Sequence, residues 1–421
     1  MKRIIQVEER PALKEAIPLS VQHLFAMFSA SVLVPTIFGI DPGIVLLMNG
    51  IGTLLYIFLT KGKAPAYLGS SFAFIAPTLL LINNPSMGFS YAQAGYIVSG
   101  LLFVVFAFII QKFGTKWIEV VLPPAAMGPV VALIGLELAG TAASTGGMIS
   151  ADGAPIDPKA AAVFIVTLSV AVFGSVVFRK FFSVIPILIS IIAGYALAAI
   201  LGIVDYTPAT SSSFFQMPRF QLPTFDIGAI MIILPATLVV LSEHIGHQLV
   251  TSKVVGRDII KEPGLHRTLM GDGLSTAISG FVGAVPTTTY GENIGVMAVT
   301  RVYSVWVIGG AAVISIIIAF IGVVSGAIQT IPGAVMGGVS FLLYGMIAAS
   351  GIRVMVDAQV DYGKSRNLML TSVVLVTGLS GIALKLGEVE LTGMALAAIV
   401  GMLLSLIFYI LDKHKLTNDS E

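Results

Sequence analysis

The chain has 421 residues, of which 56% are hydrophobic and only 11% charged, where an ordinary soluble domain carries about a quarter charged residues. Its mean hydropathy is +0.98, and apolar runs of roughly 17–25 residues recur from Ile17 to Leu411, so it reads as an integral membrane protein with no separate extramembrane catalytic domain. The 23 basic and 22 acidic residues nearly cancel, which gives no reason to expect nucleic acid as a partner, and the lack of cysteine excludes a disulfide framework, a thiolate metal site and a cysteine nucleophile.

The first stretch, "MKRIIQVEERPALKEAI", carries both signs of charge and has no short apolar core with a small-residue exit. It is read as a retained cytoplasmic tail, residues 1–15. Membrane segments are then predicted near 16–37, 43–60, 66–83, 91–111, 121–140, 160–178, 183–203, 226–250, 268–284, 286–300, 304–325, 331–350, 367–384 and 391–411, with a second cytoplasmic tail at 412–421. With both termini inside, all lysines and arginines fall in inner loops except Lys159, Arg219 and Lys385, a strong positive-inside asymmetry.

Fourteen spans divide into seven and seven. An odd number per half turns the second half upside down, the arrangement of an inverted repeat, and the polar loop from Asp205 to Thr224 is the natural join. The segment at 286–300 is too short: some fifteen helical residues reach roughly 22 Å, less than the hydrocarbon core of about 30 Å. Its "VPTTTYGENIG", Val285 to Gly295, also disfavours a regular helix start. The first-half counterpart is "APAYLGSSFAFIAP", Ala64 to Pro77. Two interrupted segments in corresponding places point to a substrate site near the bilayer midplane, where non-helical backbone lines an enclosed cavity.

Ionisable groups inside a bilayer are costly and therefore informative. Glu243, His244 and His247 in "VVLSEHIGHQLV" and Glu292 in "YGENIG" stand out. Glu243 and His247, at i and i+4, share a helix face and can hold or pass a proton. Gln22 and His23 are placed to hydrogen-bond the interrupted segments, Glu137 reads as a structural or gating group near the outer end of its span, and Asp272 reads as a helix cap. HExxH, GxSxG and Walker A patterns are absent, and a channel would need a polar stripe along several spans. Secondary transport, not enzymatic catalysis, is the expected class.

At "YGENIGVMAVTR", Tyr290 to Arg301, the sequence resembles the nucleobase–ascorbate transporter family, also called nucleobase:cation symporter-2. The family motif runs acidic or Gln, Asn, any residue, Gly, four residues, Thr and often Arg, here Glu292, Asn293, Gly295, Thr300 and Arg301. The stretches "QHLFAMF", "PAYLGSSFAF", "PPAAMGPVVALIGLELAG", "EHIGH" and "GGVSFLLYG" are similar to those of its bacterial uracil permeases. That resemblance implies an all-α protein of fourteen spans, with short antiparallel strands in spans 3 and 10. It implies a core domain at 16–112 and 226–325, a gate domain at 121–203 and 331–411, and a homodimer in the cell membrane. The implied substrate is uracil, co-transported with a proton and without a cofactor or metal. Glu243 and Glu292 would bond the ring, Phe72 would pack on it, Tyr290 and Gly291 would offer backbone amides, and Tyr344 would reach in from the gate side. His247 would partner Glu243 in proton coupling. A purine, xanthine or sodium-coupled symporter of the same family, or a passive nucleobase channel, stays open as the alternative.

Overall fold

The computed structural model describes residues 4–149, 155–179, 182–386 and 389–418. In chain order its first half holds α1 (Leu13–Phe38), α2 (Pro42–Leu59), β1 (Leu68–Ser70), α3 (Ile75–Ile82), α4 (Phe89–Phe113), α5 (Lys116–Val121), α6 (Pro124–Thr145), α7 (Pro158–Val177) and α8 (Pro186–Ile200). The second half holds α9 (Thr207–Ser211), α10 (Ile227–Val255), α11 (Leu265–Val282), β2 (Thr287–Thr289), α12 (Gly291–Thr300), α13 (Val305–Ala319), α14 (Gly322–Gln329), α15 (Gly333–Asp357), α16 (Ser365–Leu379), β3 (Leu384–Leu386), β4 (Val389–Leu391) and α17 (Gly393–Lys413). Among the described residues eight helices are long and apolar enough to cross a bilayer, and shorter apolar helices accompany them. The chain is thus a multi-pass membrane protein, built mostly of helix. Met1–Arg3, Lys180 and residues 419–421, assigned above to tails and an inner loop, lie outside the described residues.

Helix starts follow local chemistry. Asp41, Asp157 and Asp226 accept backbone N–H groups of Gly43, Lys159 and Ala229 at 2.9, 3.0 and 2.8 Å. Pro42, Pro124, Pro158 and Pro186 each stand in a first turn, where a missing N–H costs nothing. In lipid every other backbone group must be paired internally, which is why helices dominate.

The predicted span 304–325 is broken. α13 stops at Ala319, and the outer loop takes up the freed groups: Gln216 N–H donates to the Phe320 carbonyl at 3.0 Å and Gly322 N–H to the Phe214 carbonyl at 3.0 Å. α10 runs five residues beyond its predicted end, to Val255. Asp272 does not cap a helix. It lies buried well inside α11, where the backbone N–H groups are already spent, and it bonds a histidine instead.

Two packing groups position the site. α4 lies on α11, α2 on α13, and α1 and α10 flank them. α6 and α15 form the tightest pair of a second group that also contains α7, α8, α16 and α17. Gly135 makes that pair possible, because a Cβ there would sit 1.9 Å from the Tyr344 carbonyl oxygen. The tail straps across the end of the first group: Ile5 N–H donates to the Arg301 carbonyl at 3.1 Å, Tyr303 N–H returns to Ile5 at 2.9 Å, and Arg257 clasps both carboxylate oxygens of Glu8. The guanidinium holds the Glu8 carboxyl below the usual carboxylate range.

Candidate functional site

The two interrupted segments meet. β1 and β2 pair antiparallel, with Leu68 opposite Thr289, Gly69 opposite Thr288 and Ser70 opposite Thr287. A three-residue ribbon leaves edge groups unpaired, and neighbouring helices supply the partners. Thr53 on α2 accepts Leu68 N–H at 2.9 Å, while Thr276 on α11 accepts Thr287 N–H at 3.1 Å and donates to the Thr287 carbonyl at 2.9 Å. Gly69 carries no side chain because the ring of Tyr290 covers it; a Cβ would lie 2.2 Å from that ring.

The threonine run then makes three different bonds. Thr287 reaches Ser275 at 2.8 Å, Thr288 reaches Asp272 at 3.4 Å and Thr289 reaches Nδ1 of His247 at 3.0 Å. Much of the polarity that is so conspicuous in the sequence therefore fixes the ribbon to α10 and α11.

Where the ribbon ends, α12 begins, and a cavity of about 600 Å³ opens between α10 and α12 on one side and α6 and α15 on the other. Glu243, His247 and Gly291 line it, and Arg353 and Asp357 stand at the far end of its α15 wall. The volume falls within the range of small-molecule sites. Glu243 keeps one buried carboxylate oxygen without a partner. Gly291 opens α12, and its N–H has no hydrogen-bond partner among the described residues, as a first-turn amide offers. Glu292 follows it in that turn. Phe72 and Tyr344 are buried beside one another, edge to face with centroids 6.2 Å apart.

The structure thus gathers Glu243, His247 and Gly291 around one space, puts Glu292 in the first turn of the helix that Gly291 opens, and sets Phe72 against Tyr344. Two details depart from the implied roles. The Tyr290 N–H is spent on the Tyr67 carbonyl at 3.0 Å, which leaves Gly291 as the free amide. His247 bonds Thr289, not Glu243, although both line the cavity.

Sequence reasoning missed a buried network below the ribbon. His244 holds Asp272 at 2.8 Å through Nδ1 and Thr268 at 3.0 Å through Nε2, and both His244 and Asp272 are fully buried. Two ionisable residues in separate spans were the available signal, since each needs a partner in lipid. The Gln22–His23 expectation holds for the histidine: Asn293 Nδ2 lies 3.1 Å from both His23 Nδ1 and the His23 carbonyl oxygen, tying α12 to α1. Among the described residues no cluster of three or more His, Cys, Asp or Glu could hold a metal.

The model of a family described as "Permease family" matches residues 14–387. The chain belongs to this permease family. It is 56% identical to a uracil permease of Paenibacillus larvae over 420 residues, covering 99% of both chains. It is also 56% identical to the uracil permease of Escherichia coli K12 over 411 residues, 98% of this chain and 95% of that one. Both relatives are permeases, that is transporters and not enzymes, and the family is the one indicated by the signature at Glu292–Arg301. Among solved structures, murine Solute Carrier 26 family member A9, an anion transporter in the inward-facing state, superposes with a TM-score of 0.72 at 9% identity, covering 96% of this chain and 69% of that one. At that identity the likeness establishes the fold alone.

Proposed function

We propose that the protein imports uracil by proton symport, with the helix group around α10 and α12 moving as a core against a gate built on α6 and α15. The observation that carries this reading is the cavity between the two groups, which is lined by Glu243, with one unpaired carboxylate oxygen, and by Gly291, with an unpaired amide. The uracil permease names of relatives 56% identical over nearly the whole chain point to the substrate.

The chemistry fits the ring. Uracil offers two N–H donors and two carbonyl acceptors, so Glu243 and Glu292 answer the donors and Gly291 N–H answers a carbonyl. Phe72 covers the face and Tyr344 supports it. Glu243 lines the cavity with an unpaired carboxylate oxygen, so it is the group proposed to take up the proton that travels with the substrate.

The packing supports an inverted repeat of two seven-span halves. Exchange each predicted span with the one seven later, and contacts map onto contacts: α4 with α11 onto α13 with α2, α1 with α13 onto α10 with α4, and α7 with α8 onto α16 with α17. Thr53 and Thr276, each securing one strand, exchange as well. The corresponding domains are 16–112 with 226–325 for the core and 121–203 with 331–411 for the gate. The cavity opens toward the ends bearing Lys253, Arg257, Arg301 and Arg353, the side that charge asymmetry makes cytoplasmic, so this conformation faces inward in the cell membrane.

The test is uptake of labelled uracil by proteoliposomes, with and without an inward proton gradient and with xanthine or sodium added. Accumulation that requires the proton gradient and ignores xanthine is the expected result. Equilibration without accumulation would overturn symport in favour of a passive channel, and block by xanthine or dependence on sodium would overturn the substrate or the coupling ion.

A further inference from the structure

A second cavity of about 250 Å³ lies between the same two helices, α6 and α10, further along both of them. α3 and α10 form one wall through Pro77, Asn83 and Ile232, and α6 and α17 form the other through Glu137, Thr141 and Thr392. On α6, Val131 lines the large cavity and Glu137 the small one, about 9 Å further along the helix. On α10 the corresponding pair, Ser242 and Ile232, are about 15 Å apart. Ile134, Ala236 and Val239, which stand between these positions on the two helices, are all buried and apolar. The two cavities thus share α6 and α10 as walls, with buried apolar residues at the helix positions between them.

Among the described residues, Glu137 is the one titratable residue lining this second space. Its Oε2 accepts the Met394 N–H at 3.1 Å, so the carboxylate caps α17. Gly393 allows that seat: its φ is +54°, and a Cβ there would lie 2.2 Å from Oε1. With one oxygen held by the cap, Oε1 makes no hydrogen bond among the described residues and remains a fixed acceptor. Across the cavity stands the Asn83 side-chain amide, and Thr141 and Thr392 add hydroxyls. A carboxylate oxygen facing amide and hydroxyl donors is the complement of a small ring with adjacent N–H and C=O groups.

We infer that this cavity is an outer subsite for the transported base, in which Glu137 Oε1 takes a ring N–H before the protein opens inward. The inference rests on the uracil reading above. It goes further in assigning Glu137 a ligand contact at the opposite side of the membrane from the open cavity.

Glu137→Gln separates capping from binding. Glutamine keeps an oxygen for Met394 N–H and turns an amide donor where Oε1 was, so the cap survives and the acceptor is lost. The expected result is a KM for uracil uptake raised roughly five- to tenfold, with uracil affinity of the purified inward-open protein unchanged. An unchanged KM would overturn the subsite and leave Glu137 a cap alone. If Glu137→Gln lowers the melting temperature, Asn83→Ala decides, because Asn83 is exposed and its removal spares the fold. A KM raised about threefold supports the subsite and an unaltered one overturns it. Absence of uracil uptake by the unaltered protein would strike the transport reading itself, which keeps the two failures distinct.

Discussion

The proposed symport gives Glu292 and Glu243 different duties. Glu292 belongs to the first turn of α12 beside the free Gly291 amide, a fixed place for a ring edge. Replacing it with alanine removes a charge-assisted bond worth about 1.5–3 kcal/mol, so uracil binding measured by calorimetry should weaken roughly ten- to a hundredfold. Unchanged affinity would remove Glu292 from the site. Glu243 lines the cavity with an unpartnered oxygen. Glu243→Gln keeps a hydrogen-bonding group but cannot give up a proton, so counterflow exchange of uracil should persist while accumulation driven by a pH step disappears. Accumulation that survived would place coupling elsewhere. These residues were legible in the sequence because a carboxylate in a bilayer is costly and rarely idle. Their partners were not: His247 finds Thr289 forty-two positions away, and His244 finds Asp272 across twenty-eight, pairings that only helix packing decides.

At the scale of elements, the site depends on a ribbon too short to be stable by itself. Thr53 and Thr276 compensate from flanking helices, and Thr276 satisfies both the N–H and the carbonyl of Thr287. Thr276→Val preserves shape and deletes both bonds, leaving buried backbone groups unpaired at a cost of about 1–3 kcal/mol. A melting temperature lower by a few degrees, with a smaller rise on adding uracil, is the expected result; an unchanged melt would show that water or backbone movement substitutes for the hydroxyl. The shortfall of helical length between Pro286 and Arg301 made this segment visible beforehand, since length against bilayer thickness is a constraint sequence alone can apply. The β3–β4 hairpin and the short helices α9 and α14 carried no such signal. They are too brief for periodicity, and α14 exists because an outer loop supplies bonds at Phe320 and Gly322 that let the preceding span stop.

For the whole molecule, sidedness follows from where charge gathers, and the chain is well suited to test it because it contains no cysteine. Ser211 on α9 and Lys364 before α16 are both exposed and fall on opposite sides of the proposed membrane. In intact cells Ser211→Cys should react with a membrane-impermeant maleimide, and Lys364→Cys only after permeabilisation; the reverse pattern would invert the topology and the direction assigned to the open cavity. Ser350 lines that cavity on its α15 wall, and the substitution Ser350→Cys is close to isosteric. Its labelling from the cytoplasmic face should slow several-fold when uracil is present, since bound substrate favours the closing movement of α10 and α12 toward α15 and narrows the space through which the reagent must pass. Labelling indifferent to uracil, in protein shown to bind it, would mean that the two helix groups do not close on the ligand, and a fixed opening could not support transport against a gradient.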